Sequence, residues 1–163
     1  MSTSPPTPLS SSAQRVQDEL KRMGFANTVI ELAVPVRTAA DAAREVGCEV
    51  AQIVKSLIFR ATRSDRGVLV LTSGANRVDE AKLAALLGEP IGRADAAFVR
   101  DHTGFAIGGV PPIGHARPMV TFIDEDLLRL TELWAAAGHP NSLFRLTPDE
   151  LQRMSGGRAA RIA

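Results

Sequence analysis

Two apolar runs that lie close together in the chain restrict the folds that it can adopt. The first covers residues 52–61 and the second residues 68–71, and a polar stretch with one glycine, residues 62–67, separates them. Apolar runs joined by such a short connection predict two neighbouring antiparallel strands. Neither run alternates apolar with polar residues, so we expect both strands in the middle of a sheet.

Capping residues mark the helices around these runs. Helix starts are predicted where such a residue precedes a helical pattern, at Ser11, Thr38, Asp79, Asp95 and Thr147. Their side chains accept hydrogen bonds from the free N–H groups of a first helical turn. The first start is predicted as a capping box in which Ser11 pairs with Gln14.

The arrangement of these segments predicts the fold class. Shorter β-rich segments are predicted at residues 28–32, 120–123, 131–137 and 142–146. Strands and helices do not alternate strictly, and the strand–glycine loop–helix unit of a dinucleotide-binding fold is missing. We therefore expect an α/β fold of the α+β type, with a mixed, mainly antiparallel central sheet flanked by helices. One domain is predicted over residues 11–155, with a disordered tail over 1–10 and a frayed tail over 156–163.

The charge balance neither predicts nor excludes a nucleic-acid partner. The 163-residue chain has a net charge of +1, whereas nucleic-acid-binding domains are often basic, although one basic face is sufficient. Cys48 is the only cysteine, which excludes an intramolecular disulfide. The sequence has no apolar run of the length that crosses a bilayer. We expect a cytoplasmic protein with no membrane partner.

Lys55 stands among strand-forming apolar residues. Only three of the 19 basic residues are lysines, so arginine is the usual cation of this chain. A lysine in such a strand either reaches solvent at a sheet edge or points into a pocket. In a pocket, its compact ammonium can contact a phosphate or polarise a carbonyl oxygen.

A loop rich in glycine and proline follows the predicted helix that starts at Asp95. Gly108 and Gly109 leave the backbone free, and Pro111 and Pro112 make the next residues rigid. Such a loop is either a plain connection or a surface of backbone N–H groups that binds an anion or an oxyanion.

Other catalytic arrangements find no support in the sequence. His102, His115 and His139 lack the spacing of a metal site, and no serine stands in a G-x-S-x-G turn. The junction that begins at Ser73 either binds an anion or only caps the next helix.

Three segments together resemble one known family. The segment Val54-Lys55-Ser56-Leu57, the junction at residues 74–79 and the loop at residues 108–114 resemble the YbaK/EbsC family. This family contains freestanding trans-editing aminoacyl-tRNA deacylases and the editing domain of bacterial prolyl-tRNA synthetases. The resemblance covers residues 11–154.

The resemblance implies a role for each segment. Lys55 would engage the terminal adenosine of a tRNA, and the loop from Gly108 to Pro112 would hold the aminoacyl ester. Backbone N–H groups near Gly109 and Val110 would stabilise an oxyanion, and a side chain at Gly109 would block the approach of the ester. Further substrate-binding residues implied for this pocket are Ser56, Ser73, Pro111, Pro112 and His139.

The resemblance also implies a substrate and partners. The substrate is the ester of a mischarged tRNA, either proline tRNA carrying a smaller amino acid such as alanine, or a cysteinyl-tRNA. Neither a cofactor nor a metal is implied, and attack is by bound water or by the adjacent ribose hydroxyl. The partner is the aminoacyl 3′ end of tRNA, with prolyl-tRNA synthetase as a second candidate and no DNA specificity.

Two other functions fit the same residues. A nonenzymatic module that binds tRNA, another nucleic acid or a synthetase would use the pocket without turnover. A hydrolase of small esters or amides would act on free esters without tRNA.

Overall fold

The two apolar runs form neighbouring strands at the centre of one mixed sheet. The computed structural model describes residues 8–163, and within this range the sheet has eight strands. The strands are β1 (Val29–Glu31), β2 (Ile53–Ala61), β3 (Gly67–Ser73), β4 (Ile91–Arg93), β5 (Val120–Asp124), β6 (Leu133–Ala136), β7 (Ser142–Leu146) and β8 (Arg158–Ala160). The α-helices are α1 (Ser11–Arg22), α2 (Ala39–Val46), α3 (Glu80–Leu87), α4 (Ala96–Thr103) and α5 (Pro148–Ser155).

The strand order is β1-β7-β6-β2-β3-β5-β8, and β4 pairs with β2 beside this path. The pairs β1–β7, β2–β3, β2–β4 and β6–β7 are antiparallel. The pairs β2–β6, β3–β5 and β5–β8 are parallel. The predicted fold class is confirmed, as is the antiparallel pairing of the two central strands.

Successive residues of β3 point to opposite faces of the sheet. Since residues on both faces are apolar, helices cover both faces. Leu69 and Leu71 pack in a core with Val16 of α1, whereas Val68 and Val70 pack with Leu83 of α3. All four β3 side chains are fully buried. This two-sided burial explains why the run lacks polar alternation.

Most of the predicted caps are present. Thr38, Asp79, Asp95 and Thr147 each accept a backbone hydrogen bond as N-caps. The predicted start at Ser11 is wrong by one residue, because Ser10 accepts the bond from the Ala13 N–H. The Gln14 side chain does not close a capping box and instead donates to Asp18 over 2.8 Å.

The predicted tails have different outcomes. Residues 1–7 of the predicted disordered tail lie outside the described residues. The prediction of a frayed C-terminal tail is wrong, since Arg158–Ala160 pairs with β5 and the Ile162 side chain is fully buried. The open edge of β5 supplies the hydrogen-bond partners and the neighbouring core supplies the burial, neither of which a local pattern contains.

No helix within residues 8–163 is both long and apolar enough to cross a membrane.

Candidate active site

A gap in strand pairing opens one edge of β2. β6 pairs with β2 only at Ile53 and Val54, and β4 pairs with the same edge from Phe59 onward. The Gly74 N–H donates to the carbonyl of Ile53, so odd-numbered residues of β2 bond to β3 and even-numbered ones face the other edge. The backbone N–H and C=O of Ser56 therefore point to an edge where no strand within residues 8–163 pairs with them.

A cleft of about 890 Å³ lies at this gap. Its walls come from β2, the start of α2, the glycine–proline loop and the turn after β6. Residues from these four segments that line it include Lys55, Ser56, Thr38, Gly108, Val110 and Pro140. The lining is mainly apolar, with Arg37 and Lys55 as its cations and no Asp, Glu, His or Cys among the described lining residues. Such a cleft attracts an anionic ligand and offers no carboxylate, imidazole or thiol among the described lining residues as a general base.

Lys55 is half-buried in the wall of the cleft. Its Nζ donates to the backbone carbonyl oxygen of Asn76 over 3.0 Å. No carboxylate of the described residues lies within ion-pair distance of it. The ammonium is therefore held by a neutral group, and its charge stays available to a ligand.

The glycine–proline loop reaches the cleft through Gly108 and Val110. Gly108 has a φ of +91°, a conformation that favours glycine. The N–H of Val110 has no hydrogen-bond acceptor among the described residues, although Val110 is buried. Since buried N–H groups are rarely left unpaired, this donor is a candidate for contact with a ligand oxygen.

His115 fixes the far end of the loop. Its Nε2 lies 2.7 Å from the carbonyl oxygen of Pro111, so the ring nitrogen donates the hydrogen bond. Burial lowers the pKa of His115 below its usual value, and the hydrogen bond to Pro111 opposes this shift in part. The neutral imidazole, which still carries the Nε2 proton, is therefore the form that holds the loop.

Comparison with known proteins identifies the family. Residues 33–154 match the family model of the aminoacyl-tRNA editing domain. The chain belongs to this family. The predicted resemblance to YbaK/EbsC proteins is thus confirmed, and the family supports a deacylase role.

Several known proteins are similar to this chain over most of its length. A solved structure described as a candidate trans-editing enzyme for prolyl-tRNA synthetase is 49% identical, with a TM-score of 0.91, and the match covers 95% of this chain and 98% of that one. EbsC of Enterococcus faecalis, named as a candidate Cys-tRNA(Pro)/Cys-tRNA(Cys) deacylase, is 25% identical over 77% of this chain and 76% of its own length. The proline–tRNA ligase of Xanthomonas axonopodis pv. citri is 30% identical over 83% of this chain, which spans only 22% of the ligase.

Gly109 was predicted to face the ester, but it packs against the turn after β6. Gly109 is buried and its N–H donates to Ala106 within the loop over 3.0 Å. A Cβ atom at Gly109 would stand 2.9–3.0 Å from backbone atoms of Gly138 and His139. A side chain would therefore collide with the turn after β6 and would not project into the cleft.

Four other predicted residues support the editing-domain cleft from outside it. Pro111 and Pro112 are buried, are not among the residues that line the cleft, and have no N–H to donate. The Ser73 hydroxyl donates to Ala51 over 2.7 Å and accepts from Ala75, so it shapes the turn after β3. His139 uses its Nδ1 to accept the Asn141 N–H, and its neighbour Pro140 lines the cleft instead.

Of the polar side chains predicted for the site, only Lys55 and Ser56 line the cleft among the described residues. The Ser56 Oγ is buried and has no hydrogen-bond partner among the described residues. Together with its open backbone groups, this hydroxyl can bind a polar group of a ligand.

Behind Lys55, sequence analysis singled out the junction that contains Asn76 but not its partner Asp124. Asn76 and Asp124 are 48 positions apart, yet the Asn76 Nδ2 donates to Asp124 over 2.8 Å. Residues 8–163 contain no group of three or more His, Cys, Asp or Glu side chains that could hold a metal ion.

Proposed function

We propose that this protein is a trans-editing deacylase that hydrolyses the ester of a mischarged tRNA. The observation that carries the proposal is the cleft itself, which combines a half-buried ammonium without a carboxylate partner and a buried N–H without an acceptor. Both groups complement negative charge, one on a phosphate or ribose oxygen and one on a reacting carbonyl. Family membership supports the same reaction class.

Lys55 contacts the terminal nucleotide in this mechanism. A tRNA end brings phosphates and ribose hydroxyls into the cleft, where Arg37 and Lys55 are the cations of the described lining. The Lys55 ammonium has three N–H donors and uses one for Asn76. The other two are available for oxygens of the terminal adenosine.

The Val110 N–H stabilises the oxyanion. When water adds to the ester carbonyl, the carbonyl oxygen becomes negatively charged and accepts the hydrogen bond. The tetrahedral intermediate then expels the ribose oxygen, which takes the proton of the attacking water. Loss of one such donor costs about 10²–10³ in rate.

The proton transfer relies on the substrate. The described lining holds no carboxylate or imidazole, so the ribose hydroxyl next to the ester relays the proton from water to the leaving oxygen. An aminoacyl ester is already activated, and positioning it beside water supplies much of the remaining rate enhancement.

The apolar walls favour an amino acid with an uncharged side chain. Ile53, Ala136 and Leu143 are among the apolar residues that line the cleft. We assign proline tRNA carrying a smaller residue such as alanine, or a cysteinyl-tRNA, as the substrates to test first. The names of two similar proteins, a candidate trans-editing enzyme for prolyl-tRNA synthetase and EbsC, support this choice.

The deciding experiment measures release of labelled amino acid from a panel of charged tRNAs. We expect rapid release from one small class, and a loss of at least about 10²-fold in Lys55→Ala without a change in the circular dichroism spectrum. Binding of charged tRNA without release would instead favour the nonenzymatic module. Hydrolysis of free amino-acid esters at the same efficiency would favour a small-molecule hydrolase.

A further inference from the structure

Asp124 is a buried carboxylate that lies outside the lining of the cleft. It is 1% exposed and stands at the end of β5. Its Oδ2 accepts from the Thr72 hydroxyl and the Ser73 N–H at 3.1 Å each, and from Asn76 Nδ2 at 2.8 Å. Its Oδ1 accepts the Asp126 N–H at 3.0 Å. A buried charge is costly, so this set of donors indicates a defined role.

Asn76 connects this carboxylate to Lys55. Its side-chain amide donates to both Asp124 and Asp126 over 2.8 Å. Its backbone carbonyl accepts the hydrogen bond from Lys55 Nζ over 3.0 Å. The Asp124 carboxylate therefore holds Asn76 in place, and the backbone carbonyl of Asn76 holds the Lys55 ammonium.

The neutral residue between the two charges has a physical consequence. A carboxylate in direct contact with Lys55 would neutralise it and compete with the ligand for its donors. With Asn76 between them, the carboxylate makes no contact with the ammonium, and Lys55 keeps two free donors. This arrangement suits a lysine that must contact a substrate oxygen.

We propose that Asp124 is a positioning residue for Lys55 and acts through Asn76. The inference rests on the proposed function for its catalytic consequence, but the positioning itself is testable without substrate. Removal of the Asn76 side-chain amide leaves the backbone carbonyl of residue 76 present. That carbonyl is then no longer held by the side chain and can move. A displacement of about 1 Å at a reacting group can cost about 10²-fold in rate.

The first test follows the Lys55 side chain by NMR. Lys21 and Lys82 are exposed, and Lys55 is the third and last lysine of the chain, so labelling with ¹³Cε-lysine gives three assignable signals. We expect Asn76→Ala and Asp124→Asn to move the Lys55 signal to the position of an exposed lysine. The matched control is Asn27→Ala, which removes an amide that donates to Arg145 outside the cleft. An unchanged Lys55 signal in Asn76→Ala would overturn the proposal.

The second test is a double-mutant cycle on a nonhydrolysable ligand. The probe is an acceptor-stem RNA hairpin with a 3′-amide-linked alanine, and the readout is its Kd. We expect Asn76→Ala to weaken binding about 10-fold with Lys55 present and to have no effect in the Lys55→Ala background. Equal weakening in both backgrounds would mean that Asn76 acts independently of Lys55, which contradicts the proposal.

The two proposals fail in distinguishable ways. Full deacylation by Lys55→Ala would overturn the catalytic role of Lys55 and leave the NMR result untouched. Loss of deacylation in Lys55→Ala, with wild-type rates in Asn76→Ala and Asp124→Asn, would overturn only the positioning.

Discussion

The Gly138 N–H donates to the carbonyl oxygen of Gly109 over 2.8 Å. This bond ties the turn after β6 to the loop that carries Val110. Gly138 in turn approaches α1, where an added Cβ would stand 2.4 Å from the Ser12 carbonyl oxygen. Three backbone segments thus meet without room for a side chain, which holds the loop at the cleft.

Gly109→Ala is expected to move this loop. The atoms that its Cβ would meet at 2.9–3.0 Å all belong to the backbone and cannot rotate away. Overpacking of this kind costs about 1–3 kcal/mol of unfolding free energy, and we expect a loss of deacylation of about 10²-fold. Gly92→Ala is the control, since its Cβ would meet only the methyl group of the exposed Thr62. Similar rates for the two variants would contradict the prediction.

Two replacements of Val110 distinguish the contribution of its backbone N–H to catalysis from that of its side chain. Val110→Ala keeps the donor and removes core packing, whereas Val110→Pro also removes the donor. We expect single-turnover deacylation, corrected for the folded fraction, to stay near wild type in Val110→Ala and to fall about 10²–10³-fold in Val110→Pro. Equal rate constants in the two variants would exclude this N–H from the mechanism.

His115 makes stability depend on pH below neutrality. Burial depresses its pKa in the folded protein, while the unfolded chain takes up a proton near about pH 6.5. The unfolded state then binds more protons, so the stabilising contribution is complete above about pH 6.5 and is lost as pH falls toward the depressed pKa. Urea unfolding at pH 7.5, 6.5 and 5.5 should show this decrease, and His115→Gln should reduce it. Identical pH profiles would contradict the assignment.

The C-terminal residues should contribute to stability. Ile162 is fully buried beside Val68 and Phe122, and truncation of such a side chain to alanine costs about 2–5 kcal/mol. Ile107→Ala is the matched control, because that isoleucine is 58% exposed and surface changes usually stay within about 0.5 kcal/mol. Chemical denaturation of both variants measures the difference. If Ile162→Ala loses no more unfolding free energy than the control, the result would support the original prediction of a frayed C-terminal tail.

Local chemistry in the sequence was sufficient for the elements and for part of the site. Thr147 with Glu150 forms the predicted capping box, because cap and helix are neighbours in the chain. β2 and β3 pair as predicted since a short turn joins them. Lys55 was a candidate because its apolar neighbours made its charge unusual, and the structure places it at the cleft.

The tertiary structure decided everything that depends on distant partners. The cleft exists because β6 and β4 pair with different parts of β2 and leave Ser56 between them. The contact of Gly109 with Gly138 and the tether from Asp124 to Asn76 join segments 29 and 48 residues apart. Such contacts depend on strand register and loop packing across the whole fold, and a local pattern of residue types carries no record of them.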